Sequence, residues 1–260
     1  MTSQPLCIER TGTIALLTLD RPESGNAIDV TMAQALLDAA LLCSSDPSVR
    51  CVILTGAGSM FCAGGDIKAF GEADDPGTLI ESITAPLHAA IARLMRMEKP
   101  LITAINGAAA GAGFGLALLG DVALAARSAK FAVAYGALGV SPDAGTSWLL
   151  PRLVGFRQAQ RLAMLGERID AAEAERIGLV TRVVDDNLLL DEAKATGERL
   201  CKSSGTATKR TRQLLLASYG ASLEAQLERE AESIASAARE PDGREGIAAF
   251  LAKRPPVFGR

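Results

Sequence analysis

Two glycine-rich stretches decide the fold of this chain: Ser59-Met60-Phe61-Cys62-Ala63-Gly64-Gly65-Asp66-Ile67 and Asn106-Gly107-Ala108-Ala109-Ala110-Gly111-Ala112-Gly113-Phe114-Gly115. Each follows an apolar, strand-like run, Cys51 to Thr55 in the first case and Leu101 to Ile105 in the second, and each opens a predicted helix. The first N–H groups of a helix lack partners within it and lie at the positive end of its dipole. Two such donors aimed at one carbonyl oxygen form an oxyanion hole, so the pattern predicts a site that stabilises a developing negative charge.

The predicted elements alternate between strands and helices, which is typical of a layered α/β fold. A hairpin is predicted over Leu6 to Arg10 and Thr13 to Asp20, and Asp29 is the expected N-cap of the first helix. A long helix is predicted over Thr78 to Met97. The chain from Asn187 onward is predicted to be helical, with apolar stripes formed by Leu223, Leu227, Ala231, Ile234, Ile247, Phe250 and Leu251.

The composition is that of a globular protein, with 48% hydrophobic and 22% charged residues among 260 and a net charge of −3. The negative charge and the small aromatic content argue against a nucleic-acid partner. The apolar runs are shorter than the roughly 20 residues of a membrane-spanning helix, and Met1 to Glu9 lacks a signal-peptide pattern. One histidine, His88, and five cysteines without a CxxC pair predict neither a metal site nor a disulfide framework. A cytoplasmic protein with no membrane association is therefore expected.

The glycine-rich stretches have competing explanations. Small residues at helix starts often serve only for close packing between helix and strand. A dinucleotide-binding loop is disfavoured because Leu116 stands where the third glycine of G-x-G-x-x-G belongs. A Walker loop needs lysine followed by serine or threonine, which neither stretch contains. Close packing and an oxyanion hole are the two interpretations that stay open at this point.

Both stretches resemble motifs of the enoyl-CoA hydratase/isomerase (crotonase) superfamily. Further matches run co-linearly along nearly the whole chain: Asp20-Arg21-Pro22 with Asn26-Ala27, Lys99-Pro100, Gly166-Glu167, Gly178-Leu179-Val180 and Phe250-Leu251-Ala252-Lys253-Arg254. The resemblance implies an α/β fold whose core, residues 1–195, is a spiral of repeated β-β-α units that binds acyl-CoA. It also implies a helical C-terminal region, residues 196–260, through which the chain forms a homotrimer or a hexamer.

The same resemblance implies which residues form the site. The N–H groups of Gly65 and Ala112 would donate hydrogen bonds to the thioester oxygen of an acyl-CoA substrate. The path of the CoA and the thioester would be lined by Ala63, Gly64, Asp66 and Ile67. Coenzyme A would arrive as part of the substrate, with no separate cofactor and no metal. Asp66 itself is interpreted as a helix cap rather than a catalytic group.

Two departures separate the chain from the hydratases of the superfamily. The glutamates that position and activate water in those enzymes correspond here to Gly115 and Tyr135. An aspartate, Asp143, stands where isomerases of the superfamily place a catalytic aspartate, and the residues around it resemble the ring-1,2-epoxyphenylacetyl-CoA isomerases of phenylacetate breakdown. The run from Asp143 to Gly145 is also a good helix N-cap, so a capping role stays open. Tyr135 is expected either to touch the substrate or to be buried.

The resulting expectation is an acyl-CoA isomerase of fatty-acid or phenylacetate catabolism. Asp143 would move a proton while Gly65 and Ala112 hold the enolate. Three alternatives stay open: an enoyl-CoA hydratase or hydrolase, a non-catalytic acyl-CoA-binding subunit, and covalent catalysis by Asp143 with His88, as in benzoyl-CoA dehalogenases of the superfamily. His88 is otherwise expected on a helix surface or in packing. The sequence does not define the acyl group.

Overall fold

A computed structural model describes residues 4–259 of the chain. The strands in this part are β1 (Leu6–Thr11), β2 (Ile14–Leu19), β3 (Cys51–Gly56), β4 (Met60–Cys62), β5 (Leu101–Ile105), β6 (Ala108–Ala110), β7 (Val122–Ala126), β8 (Lys130–Ala132), β9 (Ile169–Asp170) and β10 (Arg182–Val184). The α-helices are α1 (Val30–Ser45), α2 (Ile67–Glu72), α3 (Pro76–Arg96), α4 (Ala112–Ala117), α5 (Thr146–Val154), α6 (Phe156–Met164), α7 (Ala171–Arg176), α8 (Leu189–Lys202), α9 (Gly205–Ser218), α10 (Leu223–Arg239) and α11 (Pro241–Leu251).

Within residues 4–259 the strands form two sheets, and the chain alternates between them. The larger sheet has the order β1-β2-β3-β5-β7-β10 and is parallel except for the β1–β2 hairpin. The smaller sheet has the order β4-β6-β8-β9, with only β9 antiparallel. Each turn of the chain adds a strand to the larger sheet, a short strand to the smaller sheet and then a helix, as in β3-β4-α2 and β5-β6-α4. The fold is therefore the spiral of β-β-α units that the resemblance implied.

Local sequence signals account for the first elements. The predicted hairpin is present with Leu6 paired to Leu19, and the Asp29 carboxylate caps α1 by accepting the Met32 N–H at 2.8 Å. Helix α3 begins two residues before the predicted start, because the Asp75 carboxylate accepts the N–H groups of Gly77 and Thr78. The strands β4 and β6 lie inside the two glycine-rich stretches, where no strand was predicted.

Three phenylalanines fix the smaller sheet against the helix that follows β6. Phe61 on β4, Phe131 on β8 and Phe114 on α4 are almost completely buried. The rings of Phe114 and Phe131 meet edge to face, with centroids 6.5 Å apart. Burying side chains of this size contributes about 2 to 3 kcal/mol each, so they hold the start of α4 firmly beside the sheet.

The C-terminal helices are anchored to the core and expose an apolar surface. Arg212 on α9 is buried, and its guanidinium donates to Asp121 at 2.7 Å and to the Leu94 carbonyl at 2.9 Å. The boundary predicted between the acyl-CoA-binding core, residues 1–195, and the C-terminal region, residues 196–260, falls inside α8. Residues 1–3 of the core and residue 260 of the C-terminal region lie outside the part of the chain that the structure describes. Within residues 4–259 no helix is both long and apolar enough to span a membrane. The predicted apolar stripes are exposed: Leu223, Leu227, Ala231, Ile234, Ile247, Phe250 and Leu251.

Candidate active site

The two glycine-rich stretches lie side by side because β4 and β6 pair in parallel, with Met60 opposite Ala108. Gly64 has a φ of 98°, and a Cβ there would stand 2.8 Å from the Ala110 oxygen and 3.2 Å from the Ala112 nitrogen. A Cβ at Gly113 would stand 2.2 Å from the Cys62 oxygen. Close backbone packing thus requires glycine at these two positions. It also brings the backbone beside Gly65 against the start of α4.

The N–H groups of Gly65 and Ala112 are not used by the fold. In the bridge between Ile28 and Gly65, the Ile28 N–H donates to the Gly64 carbonyl at 2.7 Å and the Asp66 N–H donates to the Ile28 carbonyl at 3.2 Å. This pattern leaves the Gly65 N–H out of the bridge. Ala112 is the first residue of α4, where an N–H has no acceptor within the helix. No hydrogen bond among residues 4–259 takes either N–H, so both donors are available for a ligand.

A buried network holds the loop before Gly65. Asn26 is fully buried, and its amide donates to the carbonyls of Ala57 at 2.9 Å and Met60 at 2.8 Å. The Cys62 thiol donates to the Asn26 carbonyl at 3.1 Å and accepts the Gly64 N–H at 3.4 Å. Burial raises the pKa of Cys62 to about 12, which keeps the thiol protonated and able to donate. The position of the loop before Gly65 therefore depends on Asn26 and Cys62.

The remaining residues of the first stretch surround Gly65. The Asp66 carboxylate accepts the Ala69 N–H at 3.2 Å, which confirms the helix-cap interpretation, and it lies 3.4 Å from the Arg21 guanidinium. Ala63 donates its N–H to the Gly25 carbonyl at 2.9 Å, and the Ile67 side chain is exposed. The Phe70 ring of α2 covers Gly65, where a Cβ would stand 2.7 Å from it. That Ala63, Gly64, Asp66 and Ile67 line a CoA path stays a prediction.

Asp143 stands at the end of the irregular segment between β8 and α5, and both of its oxygens have neighbours. The Tyr135 hydroxyl donates to Oδ1, and His88 Nε2 lies 3.4 Å from Oδ2. The carboxylate does not cap α5: Gly145 is the N-cap residue, and only the Asp143 backbone carbonyl accepts the Thr146 N–H. The capping alternative is therefore wrong, and this half-buried carboxylate is directed at Tyr135 and His88 instead.

Tyr135 and His88 differ in exposure and in their chemistry toward Asp143. Burial and the Asp143 charge raise the pKa of Tyr135 well above its usual range, so the hydroxyl stays a donor. The His88 side chain is half exposed, and its Nε2 also accepts the Ala144 N–H at 3.3 Å. A protonated ring would donate to Asp143, whereas a neutral ring can accept from Ala144. Asp143 is thus joined to the solvent through His88.

The turn after Asp143 occupies the space beside Gly115. Ala144 has a φ of 51°, a left-handed conformation that a residue with a Cβ rarely adopts. A Cβ at Gly115 would stand 2.6 Å from the Ala144 oxygen and 3.0 Å from Thr146 Oγ1. The space beside Gly115 is therefore filled by the backbone that follows Asp143.

The helical pattern predicts His88 on the surface or in packing, and only the alternative of covalent catalysis places it with Asp143. Helix α3 buries Leu87, Ile91 and their neighbours, and nothing in that pattern marks the half-exposed His88 beside them. Its place next to Asp143 follows from how α3 packs against the turn before α5, which a helical pattern cannot reveal. Within residues 4–259, no group of three His, Cys, Asp or Glu side chains is arranged to hold a metal ion.

Known proteins are similar to this chain over nearly its whole length. The family model described as enoyl-CoA hydratase/isomerase matches residues 9–260. The 1,2-epoxyphenylacetyl-CoA isomerase of Escherichia coli K12 is 40% identical over 94% of each chain, and the 2,3-dehydroadipyl-CoA hydratase of the same strain is 36% identical over 97% of this chain and 98% of its own. The crystal structure of an enoyl-CoA hydratase from Polaromonas sp. JS666 superimposes with a TM-score of 0.92 at 34% identity, over 98% of this chain and 99% of its own.

Proposed function

The chain belongs to the enoyl-CoA hydratase/isomerase family, and on that premise we propose that it is an acyl-CoA isomerase that shifts a double bond or opens a strained ring. The proposal rests on one observation, which is how Asp143 and the turn that follows it are placed beside Gly115. The Asp143 carboxylate is held by Tyr135 and His88, and the turn behind it fills the space beside Gly115, the position that the resemblance assigns to a hydratase glutamate.

In the proposed reaction, the unused N–H groups of Gly65 and Ala112 polarise the thioester carbonyl. They would donate to the thioester oxygen of the acyl-CoA and stabilise the enolate that forms when a proton leaves the neighbouring carbon. The loss of one such donor typically costs about 3 kcal/mol of transition-state stabilisation. The network of Asn26 and Cys62 supports this role because it fixes the loop before any substrate binds.

In the proposed reaction, Asp143 acts as the general base and then as the general acid. Its carboxylate takes a proton from one carbon of the acyl chain and returns it to another, so that no proton is gained or lost overall. Tyr135 holds Oδ1, which leaves Oδ2 as the atom that meets the substrate and His88. The cycle needs no metal or redox cofactor, since coenzyme A is part of the substrate.

Asp143→Asn tests the proposal directly. The substitution keeps the shape of the side chain and removes the base, so turnover of a 3-enoyl-CoA should fall by about 10²- to 10⁴-fold while acyl-CoA binding persists. Gain of absorbance at the conjugated enoyl band follows the isomerisation, and its loss with crotonyl-CoA follows hydration. The exposed Asp74→Asn is the matched control and should behave as wild type. An Asp143→Asn enzyme of near wild-type rate contradicts the assignment.

A second candidate rests on the 3.4 Å distance between His88 Nε2 and Asp143 Oδ2. In this mechanism the Asp143 carboxylate attacks a carbon of the acyl group, the bond from that carbon to a leaving group such as halide breaks, and water then hydrolyses the aspartyl ester. One turnover in ¹⁸O-labelled water would leave the label in the peptide that contains Asp143, adding about 2 Da. Isomerisation leaves the mass of that peptide unchanged.

A protein that binds acyl-CoA, catalyses no turnover and exchanges no substrate proton with deuterated water would be a binding subunit.

We also propose that the chain assembles as a homotrimer or a hexamer through α10 and α11. The exposed stripe includes Phe250 at 84% and Leu251 at 76% exposure, values that are unfavourable for apolar side chains in water. Sedimentation of the wild type and of a Phe250→Glu variant tests this. The wild type should sediment as three or six copies, and the variant should dissociate.

A further inference from the structure

Two cysteines meet where α8 packs on β3, away from the residues of the candidate active site. Cys51 is the first residue of β3 and is completely buried, while Cys201 lies in the last turn of α8 and is half-buried. One turn before Cys201, a Cβ at Gly197 would stand 3.5 Å from the Cys51 sulfur. Residues four apart share a face of a helix, so Cys201 follows Gly197 over the same strand. The Cys51 thiol itself donates to the Val52 carbonyl at 3.9 Å, and the side chains of Cys51 and Cys201 lie close enough for each to shift the pKa of the other.

The surroundings give the two sulfurs different roles. The neighbouring Cys51 thiol lowers the pKa of Cys201, with help from the Thr13 hydroxyl and the Arg50 charge and against burial and Glu198. The Cys201 side chain and burial raise the pKa of Cys51. Because the thiolate is the reactive form, Cys201 is the nucleophile and Cys51 the neutral partner.

Access also favours Cys201. A cavity of about 270 Å³ opens beside it, lined by Arg50, Lys99, Lys209 and their neighbours. Cys51 is not part of that lining, and Cys43 and Cys62 are fully buried with raised pKa values. A small neutral oxidant that enters this cavity therefore meets the Cys201 sulfur, and Cys51 lies behind it on β3.

We propose that Cys201 and Cys51 are a peroxide-oxidisable pair that closes to a disulfide between α8 and β3. The Cys201 thiolate attacks one oxygen of hydrogen peroxide, the O–O bond breaks, and the leaving hydroxide takes up a proton to become water. Cys201 is oxidised to a sulfenic acid as the peroxide is reduced. The Cys51 sulfur then attacks the Cys201 sulfur, the S–O bond breaks, and the leaving hydroxide takes the Cys51 proton as a second water.

Thiol mapping on the full chain tests this pair. After brief exposure to hydrogen peroxide the protein is denatured, alkylated and digested. Three cysteines, Cys7, Cys43 and Cys62, should be alkylated, and Cys51 and Cys201 should appear in one cross-linked peptide that dithiothreitol separates. Cys51→Ala should stop the reaction at the sulfenic acid, which dimedone labels at Cys201. Cys201→Ser should remove both products, and Cys7→Ser, at a half-buried thiol on β1, should react as wild type.

Two results would overturn the pair. One is that all five cysteines of the wild type remain alkylated after peroxide; the other is that the cross-link joins Cys7 instead. The wild-type result decides the matter even if a variant folds poorly, and circular dichroism checks the folding of each variant. The readout involves no acyl-CoA, so it is independent of the proposed function.

Discussion

The Tyr135 hydroxyl donates to Oδ1 of Asp143, and both residues belong to the segment that joins β8 to α5. The tyrosine is buried and the carboxylate half-buried, so the bond orients the acid from its protein side. A hydrogen bond to a charged group contributes about 1.5 to 3 kcal/mol. Tyr135 is therefore better described as a positioning residue for Asp143 than as a group that binds substrate.

Tyr135→Phe should lower kcat about 10- to 100-fold and leave KM within about threefold, because the ring still packs while the donor is lost. Steady-state kinetics with a 3-enoyl-CoA measures both constants. Tyr219→Phe removes the other tyrosine hydroxyl but keeps the ring that packs edge to face on Trp148, and this variant should have wild-type kinetics. A rise in KM with kcat unchanged would show instead that Tyr135 binds the substrate.

His88→Gln should separate proton movement from turnover. Glutamine can donate to Asp143 and accept from Ala144, but it cannot exchange the shuttled proton with water. The isomerisation rate should stay within about tenfold of wild type, while the deuterium that enters the product in deuterated water should fall. Mass spectrometry of the product measures that fraction.

If His88→Gln instead abolishes turnover and wild-type Asp143 takes up ¹⁸O, covalent catalysis is the better mechanism. Retained turnover with undiminished deuterium uptake would mean that the proton reaches water by a path other than His88. The two measurements therefore assign His88 a role in exchange, a role in hydrolysis or neither.

The sequence predicted the close packing of the two glycine-rich stretches better than it predicted the surroundings of Asp143. Gly64 and Gly113 are constrained by close backbone contacts, and residues with such constraints leave a recognisable local pattern. Strands β4 and β6 have three residues each, too few for a period-2 pattern to emerge. The approach of His88 to Asp143 depends on tertiary packing between distant segments, so no local pattern encodes it.

Gly115→Ala should lower the proposed isomerase activity without creating hydratase activity. Its Cβ would stand 2.6 Å from the Ala144 oxygen, so the turn that carries Asp143 must move. Overpacking of this kind costs about 1 to 3 kcal/mol, and we expect both a lower midpoint of unfolding and at least about a tenfold loss of isomerisation. Gly71→Ala, where nothing lies within 4 Å, is the matched control. If a Gly115→Glu variant hydrates crotonyl-CoA, the turn after Asp143 can move aside for a larger side chain, and this prediction is wrong.

Cys62→Ala should change how stability depends on alkaline pH. The Cys62 pKa is about 12 in the folded protein, raised by burial from an ordinary value of 9.0. The unfolded chain loses this proton first, so the contribution of Cys62 is complete below about pH 9 and disappears as pH rises from 9 to about 12. Each pH unit in that window removes about 1.4 kcal/mol. Urea unfolding at pH 8, 9 and 10 should therefore show a flatter loss of free energy for Cys62→Ala than for wild type, whatever the offset at pH 8. Parallel curves would mean that the thiol between Asn26 and Gly64 ionises as readily in the folded protein as in the unfolded chain.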